Sequence, residues 1–197
     1  MAGNNRYDLV IIGGGSAAFG AAIKANLFGV KTAMIERDVL GGTCVNVGCV
    51  PSKNLLGAGE LLHSSKYPMY PSISSCQSDF DVSKTIEEKE HLIKGLRKQK
   101  YHDVLSGLDN VDLIQASVSF ISSKILTIVN GDAGTTSNKI EADKFIIATG
   151  SSPSLPSTKG IDGVDYLTNK DALSLKEKPS SMIVVGGGPL GLEFAQM

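Results

Sequence analysis

Apolar and polar positions along the chain switch between two periods. Tyr7 to Ile12 (YDLVII) is a nearly continuous apolar run, the pattern of a strand covered on both faces of a parallel sheet. Gly13-Gly14-Gly15 interrupts it, and the small residues from Ser16 to Phe28 predict a tightly packed helix that ends at Gly29. Lys31 to Glu36 (KTAMIE) reads as a second strand, so the first segment is a βαβ unit. Residues 41–64 predict a helix entered through a second glycine turn, and residues 65–82, with Pro, Ser and Tyr, predict a loop. Ser83 to Leu105 carries Glu87, Glu88 and Glu90 early and Lys94, Arg97, Lys98 and Lys100 late, the charge order that suits a helix dipole. Between Val111 and Ile147, short apolar runs separated by Asn-Gly and Gly-rich turns predict a β-meander. Phe145 to Gly150 (FIIATG) is another buried strand closing on a small turn, and Ser151 to Pro156 (SSPSLP) reads as a linker. Ser180 to Met197 reads as strand, glycine turn and the opening of a helix.

The glycine run is repeated. Gly13-Gly14-Gly15 returns 173 positions later as Gly186-Gly187-Gly188, each time after an apolar run and before a helix. The expected fold is therefore α/β: a Rossmann-like three-layer domain with a β-meander over residues 1–152, then a linker and the start of a second nucleotide-binding Rossmann unit over 153–197. A strand and half a helix cannot bury their apolar faces alone, so the chain reads as the N-terminal fragment of something larger. The net charge of −1 gives no electrostatic support to nucleic-acid binding. The start of the chain lacks the features of a secretory signal. The apolar stretch Leu9 to Ile23 is interrupted by glycines and shorter than the roughly 18 to 20 residues of a membrane span. The expectation is a cytoplasmic protein with neither nucleic-acid nor membrane partners. Three cysteines do not make a secreted disulfide framework, and in a reducing compartment two close together point to metal or redox chemistry.

Two motifs carry chemistry. Gly13, Gly15 and Ala18 fit the G-x-G-x-x-G/A pattern, with Ser16 opening the helix. Glycine allows the tight turn and close backbone approach to a pyrophosphate, a small Ala18 lets helix pack on strand, and the helix N-terminus favours the phosphates. Glu36, 21 residues after Gly15 at the end of the next strand, is placed to bind ribose hydroxyls. The plainer alternative is an ordinary glycine turn beside a solvated charge. The second motif runs from Gly41 to Lys53 (GGTCVNVGCVPSK). On an ideal helix Cys44 and Cys49 would be rotated by roughly 140° and separated by a rise of about 7.5 Å, outside easy disulfide reach. A bridge needs a distorted turn, for which Gly48 is suited. A helix N-terminus favours thiolate. The spacing alone leaves open two buried structural cysteines or a reactive pair.

That thirteen-residue segment resembles the active-site signature of the class I pyridine nucleotide-disulfide oxidoreductases, the flavin disulfide reductases. The resemblance extends through Ala148-Thr149-Gly150 to the GGGPLGLE segment. It implies that FAD is held at Gly13, Gly15, Ser16, Ala18, Glu36, Gly42, Thr43, Ala116, Thr149 and Gly150, and that NADPH or NADH is held at Gly186, Gly188 and Gly191. Cys44 would be the interchange thiol and Cys49 the flavin-side thiol of a redox disulfide. Lys53 would lie near the reactive flavin nitrogen and pair with Glu193. Within the family, Leu96 to Leu105 (LRKQKYHDVL) resembles the L-R-x-x-K-Y-x-x-I/V-L helix of mercuric reductases. Tyr101 is then the counterpart of a metal-site tyrosine, against the plainer reading of a half-buried helix residue. The implied function is electron transfer from NAD(P)H through FAD and the Cys44–Cys49 pair to Hg(II), giving Hg(0), in a homodimeric enzyme of which this fragment alone would be inactive. The alternatives are a dihydrolipoamide dehydrogenase acting on a dithiol and, in another class, a non-catalytic flavin-binding fragment. Cys76 has no partner the sequence can name, and His63, His91 and His102 show no metal-ligand spacing. The charge run from Glu87 to Lys100 reads as a solvated helix face.

Overall fold

The computed structural model describes residues 5–76, 79–129 and 136–197. The chain divides into two compact units, Met1–Thr43 with Leu96–Ser151, and Cys44–Gly95 with Ser152–Met197. The segment 44–95 thus groups with the C-terminal residues.

The first unit is built on a six-stranded sheet of order β3-β2-β1-β6-β5-β4. Strand β1 (Arg6–Ile12) lies at its centre, parallel to β2 (Thr32–Glu36) on one side and to β6 (Thr136–Ile147) on the other. Helix α1 (Ser16–Leu27) makes the first crossover and ends where Gly29 takes φ +66°. Val111–Gln115 (β3) pairs parallel with β2, so it belongs to the Rossmann sheet and not to the expected meander. The physical reason is the long connection from β2, which brings the chain back in the same direction, as a parallel pair requires. The meander is β4 (Ser117–Ser122), β5 (Ile125–Val129) and the first half of β6. At Glu141, β6 changes from an antiparallel partner of β5 to a parallel partner of β1. The Asn-Gly turn expected at 130–131 lies outside the described residues.

Successive side chains of a strand point to opposite faces, and here both faces are covered. Val10 and Ile35 pack with Leu126, Ile128 and Ile140 on one side. Ile11 and Met34 pack on the other with Ala18, Phe19 and Ala22 of α1. This double burial is why the central strands are apolar throughout.

The single helix expected over 41–64 is two: α2 (Gly42–Val47) and α3 (Cys49–Lys66), broken at Gly48. Helix α4 (Val82–Arg97) is capped by Asp81, whose Oδ1 accepts from the Lys84 N–H at 3.0 Å. It runs into a π-helical turn, Lys98–His102, and then α5 (Asp103–Leu105). One member of its charge run is not solvated. Lys89 is 1% exposed, donating from Nζ to the Leu173 carbonyl and pairing with Glu90 at 2.9 Å. Leu173 ends the short helix α6 (Asn169–Ala172), whose start carries a capping box of Thr168 and Asp171. Helix α7 (Pro189–Gln196) closes the chain behind the second glycine turn. The run before it, Met182–Val185, belongs to no sheet among the described residues. A strand exists only through its ladder, and no paired neighbour is there.

Candidate functional site

The first glycine turn is a close-packed backbone cradle. Gly13 sits at φ +122°, and its N–H donates to the Ile35 carbonyl at 2.7 Å. A Cβ at Gly13 would lie 2.2 Å from the Ala148 carbonyl oxygen, and one at Gly14 would meet Leu40 at 2.7 Å. The turn at Gly41 docks on the first, with the Gly41 N–H donating to the Gly14 carbonyl at 2.9 Å. A Cβ on Gly42 would meet the Gly15 Cα at 2.8 Å. Gly15 is the N-cap of α1 and supplies no side-chain cap to its first N–H groups. An uncapped helix start lined by glycine backbone leaves N–H groups free for an anion and leaves room for the pyrophosphate of a dinucleotide.

Glu36 closes one side of the cradle. Its Oε2 accepts the Gly14 N–H at 2.7 Å, and Oε1 accepts the Asp38 N–H at 2.9 Å. Each carboxylate oxygen retains acceptor capacity for a ribose hydroxyl. The Ala116 N–H donates to the Glu36 carbonyl at 3.0 Å, which ties the β3–β4 corner to the same strand end. Thr149 and Gly150 are exposed just after β6, next to the Ala148 that abuts Gly13. Ser16 and Thr43 are exposed near the starts of their helices, and Ala18 is fully buried in α1.

In the second unit the two cysteines flank the helix break. Cys44 and Cys49 are both exposed thiols. The break follows from Pro51, which has no N–H to give the carbonyl four residues before it and whose ring crowds that carbonyl. That carbonyl belongs to Val47. It accepts instead from Asn169 Nδ2 at 2.9 Å. One turn on, Lys53 Nζ donates to Glu193 Oε2 at 2.6 Å, bringing together residues 140 positions apart. The Glu193 carboxyl is held below the usual glutamate range, first by Lys53 and then by a hydrogen bond from Ser52. The buried Ser52 hydroxyl donates to the Cys49 carbonyl at 3.3 Å.

The second glycine turn repeats the first in conformation. Gly186 has φ +122°, like Gly13, and Gly188 is an uncapped N-cap of α7 as Gly15 is of α1. A Cβ on Gly191 would meet the Gly186 carbonyl at 2.0 Å. Tyr101 occupies the π-helical turn, its ring edge-on to Phe19 with centroids 4.8 Å apart. Such turns recur at functional sites.

The sequence profile of the pyridine nucleotide-disulphide oxidoreductases matches residues 7–197. The chain belongs to this family. It is 44% identical over 193 residues to a mercuric reductase of Lysinibacillus sphaericus, covering 98% of this chain and 34% of that protein. It is 36% identical to a dihydrolipoyl dehydrogenase of Trypanosoma brucei brucei, covering 98% of this chain and 40% of that one. Among solved structures it resembles the Cu(II) complex of the HOCl-induced flavoprotein disulfide reductase RclA from Escherichia coli. The TM-score there is 0.79 at 29% identity, covering 96% of this chain and 39% of that chain. The chain thus spans between a third and two fifths of the length of these relatives. Family membership makes the chain part of an oxidoreductase lineage that uses flavin and pyridine nucleotide, and the mixed α/β sheet is that of its FAD-binding fold.

Among the described residues, no three of His, Cys, Asp and Glu gather into a metal-holding group, and no helix is long and apolar enough to cross a membrane. Three contributors escaped the sequence reading: Ser52, Lys89 and Asn169. Pro51 fixes in advance that the Val47 carbonyl needs an outside donor, but nothing local names Asn169 as its source.

Proposed function

We propose that the chain is the FAD-binding and redox-disulfide portion of an NAD(P)H-dependent mercuric reductase. What supports this is the docking of Gly42 on Gly15 at the phosphate cradle, with Cys44 following two positions later in the sequence. FAD, when bound, supplies the two-electron chemistry between a nicotinamide and the cysteines. The α1 N-terminus, the Gly13–Gly15 and Gly41–Gly42 turns and Thr43 hold its pyrophosphate, and Glu36 accepts from the ribose. Thr149, Gly150 and the Ala116 backbone line the same turn region. Gly186, Gly188 and Gly191 begin the NADPH or NADH site.

Cys49 is the thiol on the flavin side and Cys44 the one that meets substrate. Two thiolates suit a soft ion such as Hg(II), the substrate, which is reduced to Hg(0). Glu193 holds the Lys53 ammonium in place and keeps positive charge one turn beyond Cys49. Tyr101 adds a phenol as a supplementary ligand or hydrogen-bond donor to the bound ion. The preference for Hg(II) rests on the 44% identical mercuric reductase and on the LRKQKY helix segment that carries Tyr101. The 36% identical dihydrolipoyl dehydrogenase supports a second reading, in which the same disulfide takes electrons from a dithiol. In either case the intact enzyme is a cytoplasmic homodimer.

The test is NAD(P)H oxidation by FAD-loaded protein expressed from its whole reading frame, in excess thiol, with and without Hg(II). Hg(II)-dependent oxidation that falls about a thousandfold in Cys49→Ser is the expected result. Inhibition by Hg(II), together with NAD(P)H-dependent reduction of lipoamide to dihydrolipoamide, would replace the mercury reading with the dithiol one.

A further inference from the structure

A proline inside the redox segment leaves a carbonyl without its helical donor, and a side chain from 122 positions away supplies one. In an uninterrupted helix the Val47 carbonyl would accept from residue 51, and Pro51 has no N–H to give. The carbonyl is half-buried, as is Asn169, and the Asn169 Nδ2 reaches it at 2.9 Å. Asn169 is itself fixed from both sides. Thr168, the residue before it, is locked in a capping box with Asp171, and the far end of α6 is held by the Nζ of buried Lys89 on the Leu173 carbonyl.

We infer that Asn169 is a positioning residue for the Cys44–Cys49 couple, holding the helix break at Val47-Gly48 that disulfide closure requires. The inference rests on the proposed redox role of that pair. Its logic is conformational. On a straight helix the two cysteines are about 7.5 Å apart in rise alone, beyond the Cα separation a bridge tolerates. The disulfide exists only in a bridge-competent arrangement of the break, whereas the dithiol, which Pro51 bars only from the straight helix, tolerates other conformations about Gly48 as well. A donor on the Val47 carbonyl stabilises that arrangement and so shifts the equilibrium toward the disulfide. A residue that merely stabilised the unit would act on both redox states alike and cancel.

The experiment equilibrates the purified chain with glutathione and glutathione disulfide over a range of ratios. In the reaction, the two thiols of Cys44 and Cys49 lose two electrons and two protons to one glutathione disulfide, giving the protein disulfide and two glutathiones. Alkylation and peptide mapping then report the 44–49 bridge separately from Cys76. Asn169→Asp keeps the shape and removes the N–H donor, and it is expected to lower the equilibrium constant for closure about tenfold, roughly 30 mV. Asn169→Gln retains an amide donor and is expected to stay within about threefold of wild type. Equal constants for wild type and Asn169→Asp would overturn the positioning role, as would equal losses in the two variants. A wild-type chain that forms no 44–49 bridge at any ratio would instead overturn the redox reading itself and this inference with it.

Discussion

A methyl group added at Gly13 would lie 2.2 Å from the Ala148 carbonyl oxygen on a backbone at φ +122°, whereas at Gly20, inside α1, a Cβ meets nothing within 4 Å. The same substitution should therefore have opposite signs at the two sites. Gly13→Ala combines an overpacked contact with a disfavoured backbone angle and is expected to cost about 3 kcal/mol. Gly20→Ala lowers the entropy of the unfolded chain and is expected to add about 0.5–1 kcal/mol. Urea denaturation of both variants checks the pair, and matched losses would mean that the turn is not as tightly packed as described. Glu193 gives a prediction in pH. Its carboxyl lies below the ordinary glutamate value of 4.5 in the folded chain, mainly through Lys53 and then Ser52. Because the folded value is the lowered one, the pairing stabilises fully above pH 4.5 and is lost as the pH falls through the folded value. The melting temperature of Glu193→Gln should therefore fall below that of wild type near neutrality and converge with it in acid. The gap should be small and salt-sensitive, because the Lys53 side chain is 64% exposed. A gap that persists in acid would assign the effect to packing.

At the scale of elements, what could be read from the chain was what local pattern controls. The apolar run at Tyr7–Ile12, the small-residue helix behind it and the stop at Gly29 all follow from periodicity and turn chemistry, and each forms within a residue or two of its expected bounds. The reading failed where partners far along the chain decide. Val111–Gln115 has the short apolar look of a meander strand, but its partner is β2, 79 positions earlier. Lys89 sits in a run of charges whose other members face water, and nothing local marks it as the one that reaches the Leu173 carbonyl. The break between α2 and α3 lies between these extremes. Its cause, Pro51, is in the sequence, but helix periodicity on both sides of Gly48 conceals it. Of the candidate site, the glycine turns and Glu36 were legible from motif and spacing and the Lys53–Glu193 pair from the family resemblance, whereas the Asn169 anchor is visible only in three dimensions.

For the molecule as a whole, the repeated glycine run is a repeat of conformation as well as of letters. Gly13 and Gly186 share φ +122°, and the N-caps Gly15 and Gly188 share an extended backbone. The first copy sits in a fully paired sheet, while the strand-like run before the second has no ladder partner among the described residues. The turn geometry is thus set by the glycines and the helix that follows, not by the sheet. Under the proposed function, the two turns hold two nucleotides and the cysteine pair is the point where electrons leave the flavin. The most direct test counts reducing equivalents in an anaerobic dithionite titration of the FAD-loaded protein. Wild type is expected to take up two electrons for the disulfide and two for the flavin, and Cys49→Ser only the flavin's two. If wild type and Cys49→Ser consume the same amount, the cysteines are not a redox pair and the central claim is wrong.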